Sequence, residues 1–333
     1  ASGHRPSVEL IGIAEQQAVL RVPRPKGEAD GNCLVRKLRP RESQIWSNTT
    51  ERIGPPPKGV RLVRVCDRGA DIYEFLEGCF KQDHGFVVRA SANRVLVGSG
   101  KLFETAGSAP VMASFMLELR ARPNTPGRIV KLDVRVCQVT IRSPQRPGHG
   151  PGTLPPIQAT AVHVREVGNV PKKAKRLEWI LLTDAHVTNA EEALEVVLQY
   201  STRWIIEDFH KALKTGMRIE DLQLKTAHSL KAAVAMYSLV AVRLVGLREQ
   251  ARLHAKLPAR QSGLNEIELA VLARKLGRRL TTVADVAMAL GRLGGHTGRK
   301  RDGMPGWETL WHGHKRLRLL AEGAKIAVAG RLR

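Results

Sequence analysis

Residues 60–89 read VRLVRVCDRGADIYEFLEGCFKQDHGFVVR, and this stretch decides the fold. Val60, Leu62, Val63 and Val65, interrupted only by Arg61 and Arg64, predict a strand over 60–66. Asp71 and Glu74 form a capping-box-like start, and Ile72, Phe75, Leu76, Cys79 and Phe80 then follow helical spacing. Phe86, Val87 and Val88 read as a second short strand. A strand, a helix and a strand in so short a run predict an α/β domain.

Upstream, the largely apolar runs 8–13 and 18–22 read as strands, 23–40 as a polar, basic loop, and 41–53 as a short helix. Downstream the character changes between 91 and 176. Val130, Leu132, Val134 and Val136 alternate with Lys131, Asp133 and Arg135, which predicts a strand with a charged outer face. The Pro- and Gly-rich run 144–156 is a loop, and 159–167 and 177–182 are further strands. After Thr188 the pattern turns helical. One long helix is expected over 190–214, with Thr188 and Glu191 as its capping box and Gly216 as its stop. Further helices are expected over 228–247, 264–275, 282–292 and 308–320. The expected organisation is a first core part over 1–90, a β-rich insertion over 91–176, a second core part over 177–225 and a helical region over 226–333.

The chain has 333 residues, of which 43% are hydrophobic, so a sizeable core is affordable and wholesale disorder is excluded. Lys and Arg total 54 against 31 Asp and Glu, a net charge of +23. Such an excess points to a polyanionic partner, above all nucleic acid. Basic residues crowd the end, with ten Lys or Arg against Asp302, Glu308 and Glu322 over 291–333. The longest mainly apolar stretch, 232–242, stops at Arg243, so no membrane partner is expected. No secretory leader is visible over 1–22. Cys33, Cys66, Cys79 and Cys137 lack metal-module spacing, which with the missing leader implies a reducing, cytoplasmic setting. Neither a Walker sequence nor a G-x-S-x-G is present, so no nucleotide cofactor is expected.

Three places could carry chemistry. Asp67 follows an apolar strand and precedes a helix, the position where ligands gather in open α/β sheets. On position alone the simpler reading, a turn aspartate or a helix cap, is favoured over the catalytic one. Tyr200, Arg203, Glu207 and Lys214 stand at i, i+3, i+7 and i+14. On a continuous helix they fall within roughly 60° of one another, with Lys211 near the same stripe. Such a face could hold a metal on its carboxylate and grip phosphates with its cations, or it is a solvated face with a Glu207–Lys211 pair. Trp179 sits in a strand, where an aromatic is ordinarily core, although beside a DNA channel it would stack on an extruded base.

The run Tyr200-Ser201-Thr202-Arg203-Trp204-Ile205-Ile206-Glu207 through Lys214 and Gly216 resembles the Y-x2-R-x3-E-x6-K signature of bacterial DDE transposases of the insertion-sequence-four type. Val65-Cys66-Asp67-Arg68-Gly69-Ala70-Asp71 resembles that group's second-aspartate motif. Phe86-Val87-Val88-Arg89, the strand around Trp179, and Asp302-Gly303 through Pro305-Gly306-Trp307 to Leu310-Trp311 match in the expected order. Five ordered motifs spread from Asp67 to Trp311 carry far more weight than any one of them.

The resemblance implies an RNase H-like core with a β-rich insertion and a helical C-terminal region. It makes Asp67 and Glu207 the second and third catalytic, metal-holding carboxylates. Tyr200, Arg203, Lys211 and Lys214 become DNA contacts and Trp179 a base-stacking residue. It further implies Mg²⁺, with Mn²⁺ able to substitute, as cofactor. The implied partners are double-stranded DNA at terminal inverted repeats and a second copy in a homodimer, in a nucleoid-associated cytoplasmic location. Cutting and joining phosphodiesters requires charge stabilisation at the attacking and leaving oxygens, which paired hard cations on carboxylates supply. One expected feature is missing. The only aspartate before Asp67 is Asp30, in the basic loop, so the first catalytic aspartate and the family's N-terminal part are expected to be absent and the chain to be impaired. The alternative is a non-catalytic, DNA-binding and dimerising remnant.

Overall fold

The computed structural model describes residues 9–19, 43–98, 100–119, 127–144, 154–171, 174–299 and 302–330. The chain divides into two compact units between Arg203 and Trp204, and residues 9–19 belong with the second.

The first unit is a mixed α/β fold around one six-stranded sheet. Its elements are α1 (Gln44–Ile53), β1 (Val63–Cys66), α2 (Tyr73–Lys81), β2 (Gly85–Arg89), α3 (Leu102–Ser108), β3 (Val111–Leu119), β4 (Arg128–Ile141), β5 (Ile157–Val167), β6 (Glu178–Thr183) and α4 (Ala190–Ser201). The strand order is β1-β2-β6-β5-β4-β3. β1 and β2 are parallel, joined by α2, and every other neighbouring pair is antiparallel. The strands of the 91–176 region therefore extend the same sheet rather than building one of their own.

Both faces of the sheet are covered. Cys66, Phe86, Val88, Ile141, Ile157, Ile180 and Leu182 pack with Phe75, Leu76 and Cys79 of α2, Leu102 and Ala106 of α3, and Trp46 of α1. On the opposite face Val87, Leu132, Val134, Val162, Val164 and Leu181 pack against Ala193 and Val196 of α4. β4 shows how the alternation serves both: Val130, Leu132 and Val134 face α4, while further along Val139 and Ile141 face the other layer. Lys131 is exposed, as the charged outer face predicts. A buried pair, Arg128 with Glu166, ties the start of β4 to the end of β5, and Glu166 also accepts the Leu177 N–H at 3.0 Å.

The second unit is helical: α5 (Trp204–Lys211), a π-turn (Ala212–Gly216), α6 (Ala227–Leu253), α7 (Glu266–Leu276), α8 (Val283–Leu293) and α9 (Trp307–Gly330). Capping boxes start α7 (Asn265 with Glu268) and α8 (Thr282 with Asp285), and Gly277, at φ 62°, ends α7 in the left-handed conformation. Val286, Leu290, Leu310, Leu317, Leu244 and Leu272 form the core. α8 and α9 cross at Gly294 and Gly313, where a side chain on either would overlap the partner helix's backbone at Thr309 or Leu290. Among the described residues α6 is the one helix long and apolar enough to cross a membrane by length and composition. It runs straight through Arg243, and Ala241, Leu244, Val245, Leu247 and Ala251 are buried in the core.

Three local expectations are corrected. Residues 9–19 form no strand and pack on α6 instead, Gln16 donating to the Ser238 hydroxyl at 2.8 Å and Leu10 lying against Gly246. The rest of the expected N-terminal strands lies outside the described residues. α2 begins at Ile72 without a side-chain cap, because Asp71 is engaged elsewhere. The cap of α4 is Asn189, which accepts the Glu192 N–H, while Thr188 bonds the Glu192 carboxylate.

Candidate functional site

β1 ends at Cys66, and Asp67 turns the extended chain into a short 3₁₀ turn, Arg68–Ala70. The Asp67 Oδ1 accepts the Gly69 N–H at 2.9 Å, and the residue is otherwise exposed. A Cβ on Gly69 would stand 3.2 Å from that oxygen and 3.3 Å from Trp46 Cζ2, so glycine lets the turn pass between carboxylate and indole. The thiol beneath shows which charges gather here. Burial pushes Cys66 up to about 12, Arg64 and Arg203 pull it down, and Asp67 adds to the rise. Asp67 and Arg203, separated by most of the first unit's sequence, therefore act on the same buried group.

Asp71 has the opposite environment. Its carboxylate is enclosed and accepts the Ser91 N–H at 2.7 Å, the Ser91 hydroxyl at 3.0 Å, the Ala92 N–H at 3.1 Å, and Arg94 Nε and Nη2 at 3.0 and 2.7 Å. It clasps the turn after β1 to the loop after β2. Five donors fill its lone pairs, so it has nothing left for a metal.

Arg89 is a residue that position along the sequence alone did not single out. Cys66 pairs in register with Val88, so Asp67 and Arg89 come next on the two parallel strands. Arg89 Nη2 donates to the Glu178 carbonyl at 3.3 Å, and its Nε is enclosed without an acceptor among the described residues. Its place at the end of the Phe86–Arg89 run was the available signal.

Trp179 is half-buried on β6, opposite Val164, within the cluster covered by α4. Tyr200, at the end of α4, packs on the same cluster. The Trp179 Nε1 is enclosed with no acceptor among the described residues. A buried indole N–H ordinarily finds a partner.

The expected helix over 190–214 is interrupted. α4 ends at Ser201 and α5 begins at Trp204. The Ser201 and Thr202 hydroxyls bond the carbonyls of Leu198 and Gln199 at 2.6 and 2.7 Å, and the Thr202 and Arg203 amides bond three residues back rather than four. These local bonds compete with the α-helical ladder. Tyr200 and Arg203 therefore close the first unit, while Glu207, Lys211 and Lys214 belong to the second. The continuous helix that the expected stripe required is not formed. Gly216 does end the helical run, as expected, but by a π-turn.

In the second unit Glu207 is half-buried on α5. The Lys211 ammonium lies 3.9 Å from Asp208, and Lys214, exposed on the π-turn, pairs with Glu220 at 2.9 Å. His210 is exposed, its ring 5.6 Å from that of Phe209. Among the described residues no group of three or more His, Cys, Asp or Glu is gathered as a metal site. Asp67, with a single backbone donor and an exposed carboxylate, has the donor chemistry that a hard cation requires. No protein-family model matches the chain.

Proposed function

We propose that this chain is a transposase-type DNA nuclease and strand transferase with an RNase H-like core, of the insertion-sequence-four group. Asp67 and Glu207 are two of its metal-holding carboxylates. Tyr200, Arg203, Lys211 and Lys214 contact DNA phosphates, and Trp179 stacks on a displaced base at a terminal inverted repeat. A bound Mg²⁺ or Mn²⁺ would stabilise charge on the reacting phosphate oxygens.

One observation carries the reading. Asp67 stands exposed at the carboxyl end of a parallel strand, with one hydrogen bond to its carboxylate. The five ordered motifs and the net charge of +23 support it. So does the position of β1 at one end of the described sheet, which leaves an edge for a further strand bearing the first carboxylate. Within these 333 residues only Asp30 precedes Asp67, and it lies outside the described residues.

The test is end cleavage on a duplex carrying the inverted repeats that flank the gene, with Mg²⁺ or Mn²⁺. The chain as given is expected to bind that duplex and cut it weakly. A chain extended upstream by an aspartate-bearing strand is expected to cut, and Asp67→Ala or Glu207→Ala to abolish cutting while sparing binding. Cutting that survives both substitutions would remove these residues from the mechanism. Binding without cleavage by the extended chain would favour the non-catalytic remnant.

A further inference from the structure

The segment around Trp307 has so far had no role, yet it packs on the turn that follows the Glu207 helix. That helix ends unusually. After Lys211 the chain widens into the π-turn Ala212–Gly216, a distortion frequent at functional sites. Ala212, Leu213 and Gly216 are buried, while Lys214 and Thr215 point outward. Trp307, the first residue of α9, lies directly on Gly216: a Cβ there would stand 3.0 Å from Trp307 Cβ and 3.3 Å from its carbonyl carbon and oxygen. Arg248 of α6 in turn covers the Trp307 ring, its guanidinium carbon 4.3 Å from the ring centroid. Burial lowers the pKa of Arg248, and Asp208, the neighbour of Glu207, opposes that shift. The π-turn, α6 and the start of α9 thus meet at Trp307.

We propose that Trp307, with Arg248 stacked on its ring, is a positioning residue that fixes the Gly216 turn and so delivers Lys214 to a DNA phosphate. This rests on the reading above that Lys214 is a phosphate contact. The Trp307 Cβ and carbonyl, pressed against a residue without a side chain, set the depth of the turn, and the ring beneath Arg248 anchors that backbone. The cation stacked on that ring restrains it. Lys214 reaches out two residues before the contact, and its pairing with Glu220 holds the ammonium at the surface until a phosphate competes for it.

The experiment measures binding of the full-length chain to a labelled duplex with the flanking inverted repeat, as a function of salt. Each phosphate contact contributes about 0.9 to the slope of log affinity against log salt. Losing one therefore spares about 3.5-fold of the affinity otherwise lost between roughly 50 and 200 mM. Lys214→Ala sets this scale. Trp307→Ala is expected to reduce the slope by the same amount, and the double variant to match Lys214→Ala alone. Trp307→Phe, which keeps a ring beneath Arg248 and so keeps the anchor, should restore the native slope. Gly216→Ala should shift the slope in the same direction by less, and it keeps the idea testable if Trp307→Ala does not fold. A loss of stability alone would lower the melting temperature without changing the slope. If Lys214→Ala lowers the slope while folded Trp307→Ala or Gly216→Ala keeps the native value, the positioning role is wrong and the phosphate contact stands. An unchanged slope in Lys214→Ala would overturn both.

Discussion

Two aspartates four residues apart should respond to removal to very different extents. Asp71→Ala strips an enclosed carboxylate of five hydrogen bonds, three from Ser91 and Ala92 and two from Arg94. The Arg94 side chain is only 19% exposed, so its charge is left partly buried without its anion. Breaking a buried pair from one side costs about 3–5 kcal/mol. The freed amides of Ser91 and Ala92 would add about 1–3 kcal/mol each if they stayed dry, but the loop can open to water and the network is shared, so the costs do not sum. A loss of roughly 4 kcal/mol, at about 2–4 °C per kcal/mol for a unit of this size, lowers the melting point by on the order of 10 °C. Asp67→Ala removes one bond from the Gly69 amide at an exposed turn, about 1 kcal/mol or less. Thermal and denaturant melts of both variants, followed by far-ultraviolet circular dichroism, provide the assay. If Asp71→Ala melts within about 2 °C of the parent, or Asp67→Ala falls as far as Asp71→Ala, the division between a structural and a functional carboxylate is wrong.

Two further outcomes concern the second unit. Gly313→Ala and Gly294→Ala force a methyl into the backbone of the facing helix, at Leu290 and Thr309, and each should cost at least about 3 kcal/mol; a near-native melt would show that α8 and α9 do not cross there. His314 is buried beside Trp311, and burial lowers its pKa, opposed by Glu268 and assisted by Arg318 and Arg243. The unfolded chain therefore takes up a proton that the folded unit resists, so stability is full above about pH 6.5 and falls as the pH drops below it towards the lower folded value. His314→Gln should flatten that fall between about pH 7 and 5, and parallel curves for parent and variant would refute it.

The sequence pattern was readable where short-range spacing decides the structure. Val63–Cys66, Tyr73–Lys81 and Gly85–Arg89 fall where alternation and helical periodicity put them, and the helices from Ala227 on begin within two residues of their expected starts, although α6 and α9 run on to Leu253 and Gly330 rather than ending at 247 and 320. It was unreadable where a distant partner or a local hydroxyl decides. Asp71 has the spacing of a cap, but its partners lie about twenty residues on, across β2. Ser201 and Thr202 interrupt a run whose apolar periodicity continues past them, because their hydroxyls reach back to carbonyls. β3 escaped notice because Ser114, Met116 and Glu118 on its outer face alternate too weakly with Phe115, Leu117 and Leu119. The glycines at 294 and 313 carry no periodic signal at all; only the crossing of α8 and α9 explains them.

The case for Asp67 can also be made without any resemblance, from the fate of the acids at one end of the sheet. Three carboxylates stand near the carboxyl ends of β1 and β2 and the amino end of β6: Asp67, Asp71 and Glu178. Asp71 is saturated by five donors. Glu178 bonds the buried His163 Nε2 at 2.8 Å and lies 3.9 Å from Arg165 Nε. Each is explained by the structure it holds. Asp67 makes one bond, to a turn amide that a cap of any polar residue could serve, yet Arg203 reaches the same place electrostatically and Arg89 is next in register. A carboxylate that stays exposed with a single hydrogen bond retains the lone pairs that a hard cation needs. Asp71 and Glu166 end in ion pairs, whereas Asp67 makes one bond to a turn amide; that open carboxylate is the physical argument for its proposed role.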